Sequence, residues 1–162
     1  MPVKTNFPIV SLSSVPQADY QSSAKESPTI LLVHPERIIA DTLSLIFNTN
    51  GFLAMTAYNV STAMESALLA PPQLLIVDGE INHKNGNNLA ASIREIAPDC
   101  KVILFVGHVG MNGLTTSLYQ DENDIVFMTK PIHPATVLAR ARECFQAMNR
   151  KLSYALGDVL LE

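Results

Sequence analysis

Four places in this sequence set a reactive side chain directly after an apolar run. Leu74-Leu75-Ile76-Val77 ends in Asp78, Ile125–Thr129 ends in Lys130-Pro131, Thr29-Ile30-Leu31-Leu32-Val33 is followed by His34-Pro35-Glu36, and Lys101–Val106 by Gly107-His108. A carboxylate, an ammonium and imidazoles can clamp phosphoryl oxygens, hold a cation, or neutralise one another. Which of these is open depends on whether the runs bring the groups together.

The runs are short and apolar throughout, as buried strands are. Between them lie amphipathic stretches. Ile38, Leu43, Leu45, Ile46 and Phe47 recur at helical spacing until Asn50-Gly51, and Leu53–Ala57 reads as a weaker strand. Asn59 can cap a helix bearing Ala63, Met64, Ala67 and Leu68, which Pro71-Pro72 ends. A loop from Gly79 to Gly86 leads to a helix with Leu89, Ile93 and Ile96, closed by Pro98. A glycine-punctuated loop and a short, weakly amphipathic helix near Met111 to Gln120 follow the fourth strand, and the last helix runs from about Pro134 to Met148 or beyond. Five βα units with near-continuous apolar strands predict an α/β fold, a doubly wound five-stranded parallel sheet covered on both faces. Right-handed crossovers put every strand C-terminus at one edge. The residues after Val33, Val77, Val106 and Thr129 therefore share one rim.

Bulk properties bound the rest. A chain of 162 residues accommodates one domain with a sizeable core and a tail. The expected division is a disordered tail over 1–28, rich in Ser, Pro, Gln and Lys but carrying the apolar patch Phe7-Pro8-Ile9-Val10, then the domain over 29–148, then a helix extension or tail over 149–162. A formal charge of −4 argues against a nucleic-acid footprint. Cys100 and Cys144 indicate neither a disulfide framework nor a thiolate metal site. With no secretory-leader pattern and no run approaching the roughly 18 apolar residues of a membrane span, the expectation is a soluble protein of the reducing cytoplasm, without membrane partners.

The order and lengths of these elements, with Asp78 after the third strand and Lys130-Pro131 after the fifth, strongly resemble the receiver domain of bacterial response regulators (CheY-like) over about residues 29–148. The resemblance implies a flavodoxin-like (βα)5 fold of strand order 2-1-3-4-5. It makes Asp78 the candidate phosphoacceptor in a two-component phosphorelay and Lys130 its phosphoryl and ion-pair partner, and makes a cis peptide into Pro131 an expectation. Asn85-Gly86 matches the turn after the acceptor, and Phe127 the aromatic switch position.

The departures bear on activity. The family carries an acidic pair after the first strand that holds a divalent cation; here those positions are His34 and Pro35. Mg²⁺ binds through one or two carboxylates plus phosphoryl oxygens. Asp78 with Glu36 is a poor substitute, so Mg²⁺ is expected to bind weakly and no other cofactor is implied. The family's Thr or Ser at the end of the fourth strand is Val106, which has no hydroxyl to offer a phosphoryl oxygen. The Pro usual four residues after the acceptor is Asn82, a milder change expected to affect loop stiffness. Without the acidic pair, Asp78 and Lys130 can satisfy each other directly.

Competing readings stay open at this stage. Asp at a strand-to-loop junction is ordinary turn chemistry. His34, His83, His108 and His133 all fall at the same rim, and imidazoles with Asp78 or Glu36 suit Zn²⁺ or Cu²⁺, yet three of the four lie in loops or at a helix start. The Gly107–Gly113 loop lacks both phosphate-cradle patterns, which disfavours a nucleotide-binding enzyme. Leu156-Gly157-Asp158-Val159-Leu160-Leu161-Glu162 is either a helix extension or a faint likeness to the first strand of a winged-helix output domain, the latter making the chain a fragment of a transcription regulator. The leading expectation is a non-enzymatic, degenerate receiver that docks a protein partner or a second copy through its fourth helix, fifth strand and fifth helix. The alternative is a working phosphoacceptor served by a sensor histidine kinase.

Overall fold

The computed structural model describes residues 26–107 and 124–159. In chain order the elements are β1 (Thr29–Val33), α1 (Arg37–Thr49), β2 (Leu53–Ala57), α2 (Val60–Leu69), β3 (Leu74–Asp78), the two-residue strands β4 (Glu80–Ile81) and β5 (Lys84–Asn85), α3 (Gly86–Ile96), β6 (Lys101–Val106), β7 (Ile125–Thr129) and α4 (Pro134–Val159). Five strands form one parallel sheet ordered β2-β1-β3-β6-β7. Counted within that sheet this is 2-1-3-4-5, as expected; β4 and β5 form a separate small hairpin.

Successive side chains of a strand point to opposite faces, and this sheet sorts them cleanly. Leu31, Val33, Leu75, Val77, Leu104 and Val106 join Ala63, Ala67, Leu89 and Ile93 of α2 and α3 in one core. Ile30, Leu32, Leu74, Ile76, Ile103 and Phe105 join Leu43 and Phe47 of α1 and Val137, Ala141 and Phe145 of α4 in the other. Burying two continuous apolar layers, at roughly 1.5 to 3 kcal/mol per large side chain, is what holds the sheet between its helices.

Local signals account for the element ends. The Asn59 side chain accepts the Thr62 N–H at 2.9 Å and starts α2, and Asn85 accepts the Asn87 N–H at 2.8 Å and starts α3. In α1 the periodicity points to the right helix but only partly to its buried stripe. Ala40, Leu43 and Phe47 are buried, whereas Ile38 is 82% exposed and Leu45 also faces outward.

Two further expectations meet the structure here. The stretch from Leu156 belongs to α4 as far as Val159, so over those residues it is helix and not the strand of an output domain. The expected helix near Met111 to Gln120, the Gly107–Gly113 loop after its first residue, His108, and the tail up to Lys25 lie outside the described residues. Among the described residues no helix is long and apolar enough to cross a membrane.

Candidate functional site

Asp78, His34 and Lys130 meet because strand parity and strand reach both allow it. Asp78 continues the Leu74, Ile76 alternation, His34 the Ile30, Leu32 alternation, and Lys130 that of Val126 and Met128, all on the face covered by α1 and α4. Each sits on sheet backbone or its immediate continuation. His34 N–H donates to Ala57 O at 3.1 Å, Asp78 pairs in register with Phe105, and Lys130 N–H donates to Val106 O at 2.8 Å. Beta strands lie roughly 4.8 Å apart. His34, on the strand next to Asp78, needs only a short ring, while Lys130, two strands away, needs its long stem.

The contacts converge on one carboxylate. Lys130 Nζ stands 2.5 Å from Asp78 Oδ2, and His34 Nε2 stands 2.9 Å from the same oxygen. The other oxygen, Oδ1, accepts the Glu80 N–H at 2.9 Å. On the far side of the imidazole, Nδ1 accepts the Glu36 N–H at 3.0 Å. A nitrogen that accepts cannot also carry the proton, so the ring is in its neutral form with the proton on Nε2, directed at Asp78. His34 is buried, Asp78 is only 3% exposed, and the Lys130 side chain is 41% exposed. Burial alone would push the Asp78 carboxyl up. The His34 N–H, the Glu80 N–H and Lys130 outweigh that effect and hold it down at about 2.

Behind this carboxylate the chain packs on bare backbone. A Cβ on Gly86 would lie 2.1 Å from Asp78 O, and one on Gly79 2.8 Å from Phe105 O. Gly86 N–H donates to Gly79 O at 2.9 Å, closing the loop that leaves Asp78. Within that loop Asn82 and His83 have φ of 49° and 64°, the two left-handed positions of a two-residue hairpin turn. Proline is fixed near −65° and cannot stand at Asn82. The departure at Asn82 therefore changes the path of the loop, not only its stiffness. The Lys130-Pro131 peptide is cis.

Val106 and Phe127 belong to the opposite face, with α2 and α3. Val106 is buried and Phe127 packs against the same core, in register with Leu104. Among the described residues the histidines do not converge: His83 lies 4.0 Å from Glu80 with both side chains exposed, and His133 accepts the Ala135 N–H at the start of α4. Among the described residues no three His, Cys, Asp or Glu side chains form a metal-binding group. Glu36 is exposed, donates its backbone N–H to His34, and is among the residues lining the cleft beside the site. A cleft of about 400 Å³ opens beside His34 and Lys130, walled by Ile38, Ile39, Leu43 and Pro131.

What the sequence missed is His34 as a partner. Its position signals lost carboxylates, but a histidine directly after a strand, beside the strand that ends in Asp78, also offers an N–H at hydrogen-bonding range. That adjacency was there to be used.

A fold of this topology with Asp and Lys meeting at the strand C-termini defines a receiver-like signalling module. The family model for the response regulator receiver domain matches residues 30–142, and the chain belongs to that family. It is 28% identical over 80 residues to the photosynthetic apparatus regulatory protein RegA of Cereibacter sphaeroides, which covers 49% of this chain and 44% of that protein. It thus spans less than half the length of that relative. Among solved structures it is similar to a two component transcriptional regulator AraC from Clostridium phytofermentans, at 25% identity and TM-score 0.66, covering 78% of this chain and 98% of the other. A receiver domain protein (CheY-like) from Methanospirillum hungatei shares the fold at 18% identity and TM-score 0.65, over 77% of this chain and 98% of that one.

Proposed function

We propose that this receiver domain works as a protein-interaction module whose pocket is complete without metal or phosphate. The observation that carries this reading is His34 Nε2 at 2.9 Å from Asp78 Oδ2, on the oxygen that Lys130 also holds. Both carboxylate oxygens already accept hydrogen bonds, and the ion pair is closed within the chain. The residues do not fit a divalent cation. Where Mg²⁺ would require further oxygen ligands, the family's two acidic positions hold an imidazole N–H and a proline, and among the described residues the one other carboxylate at the cleft is the exposed Glu36.

Phosphoryl transfer to Asp78 would have to break the His34 contact. It would also add a group of about two negative charges with Lys130 as its counter-charge in this pocket. Catalysis of that transfer rests on cation clamps for the developing charge. Phosphorylation is accordingly slow or absent, and docking of a kinase or output protein depends little on it. The face expected to dock partners includes β7 and α4; its remaining helix lies outside the described residues.

A working phosphoacceptor is the second reading, favoured by one observation: Asp78 is held ionised beside Lys130, as a nucleophilic carboxylate would be. Intact mass after incubation with Mg²⁺ and a small phosphodonor separates the two. The expected result is no Asp78-dependent gain of a phosphoryl group. A near-quantitative gain, abolished by Asp78→Asn, establishes the second reading instead.

A further inference from the structure

A second cavity, of about 600 Å³, lies at the end of the sheet opposite Asp78, beneath the projecting end of α4. Its wall includes Pro72, Gln73, Pro98, Lys101, Leu152 and Ala155. Along α4, Leu138, Ala141, Phe145, Met148, Leu152 and Ala155 recur at spacings of three and four, one continuous apolar seam. The first four pack onto the domain core. The last two run on past the domain and hang over the groove, Leu152 being 62% exposed.

The N-terminal segment joins the fold beside this groove. Thr29 N–H donates to the Gln73 side chain at 3.0 Å, Gln73 N–H to Thr29 O at 3.1 Å, and Lys101 N–H to Gln73 O at 3.0 Å. The starts of β1, β3 and β6 therefore stand in a row. The chain enters two strand spacings, roughly 10 Å, from Lys101 at the groove wall.

We infer that the apolar patch Phe7-Pro8-Ile9-Val10 is the occupant of this groove, its hydrophobic side chains matched to the apolar surface that Leu152 and Ala155 present. The intervening residues 11–28 can span up to roughly 60 Å, so reach is no obstacle, and a tether of this kind holds its end at millimolar effective concentration. A zipper between two copies fits worse. Coiled coils need three or four heptads, whereas the seam carries two apolar positions beyond the domain before Gly157 weakens the helix. The contact would fasten both ends of the chain at the face remote from Asp78, and a partner binding the end of α4 would have to displace it.

The test uses the full-length chain with photoreactive benzoyl-phenylalanine in place of Phe7, irradiated and mapped by mass spectrometry. The expected product is a crosslink within one chain to the peptide carrying Leu152 and Ala155 or to Pro98, independent of protein concentration. Leu152→Glu, at an exposed position, should lower its yield roughly tenfold while leaving the far-UV circular dichroism unchanged. Crosslinks confined to other surfaces, no crosslink, or a dimer-sized product on the groove each overturn the inference, the last assigning the groove to a second copy.

Discussion

His34 and Lys130 donate to the same oxygen of Asp78, the imidazole from an adjacent strand at 2.9 Å and the ammonium from two strands away at 2.5 Å. The two donors differ in exposure, and so in what each holds in place. His34 is buried, with both ring nitrogens engaged, whereas Lys130 reaches solvent and can hydrate if its partner is lost. His34→Ala should destabilise the domain by about 2 to 3 kcal/mol, leaving a cavity and one fewer donor on a buried carboxylate. Lys130→Ala strips the buried Asp78 carboxylate of its counter-charge and should cost at least as much, about 3 kcal/mol. Urea unfolding of both variants at pH 7 measures the two costs, and a Lys130→Ala variant clearly more stable than His34→Ala contradicts this order.

The depressed Asp78 carboxyl makes stability depend on acid. Its folded value of about 2 lies below the ordinary 3.8, so its contribution is fully present above about pH 4. That contribution is lost as pH falls through 2. The difference amounts to about 2 kcal/mol. Unfolding free energies of the wild type measured between pH 5 and pH 2 should carry this loss, and Asp78→Asn should remove that portion of the slope. An unchanged slope in the variant sinks the assignment.

Backbone packing behind the site gives a steric prediction. Gly86→Ala places a methyl 2.1 Å from Asp78 O, against backbone that cannot turn aside, and should cost about 3 kcal/mol or more. Gly51→Ala, at φ 87° with open space around it, should cost only about 1 kcal/mol. Thermal unfolding of the pair distinguishes a clash from a conformational preference, because only the clash separates them.

Asn82 tests the loop in the opposite direction. Introducing the proline usual at this position in the family, Asn82→Pro, requires abandoning φ 49° and the turn that closes the β4–β5 hairpin. It should destabilise by about 2 kcal/mol, whereas Asn82→Gly should be near neutral. A proline variant as stable as the wild type means the hairpin is dispensable.

These predictions divide between what was legible in the chain and what was not. The strand bounds from Thr29 to Thr129, the Asn59 cap and the Asp78–Lys130 pair follow from local apolar runs and from one topological rule that brings strand ends together. The outward turn of Ile38 and Leu45 does not, because α1 has apolar residues on more than one side and only packing against α4 and the sheet chooses among them. The role of His34 was hidden for a different reason. Its proton position is set by the Glu36 N–H, a backbone contact that sequence pattern does not display. The tight Asn82-His83 turn was likewise hidden, although Asn is a residue that tolerates positive φ.

Magnesium affinity tests the central claim most directly. Isothermal titration of the wild type and of the His34→Asp/Pro35→Asp variant with Mg²⁺ compares a pocket closed by an imidazole with one given back its acidic pair. No saturable binding by the wild type and clear binding by the double variant is the predicted result. Wild-type affinity equal to that of the double variant contradicts the account of the pocket.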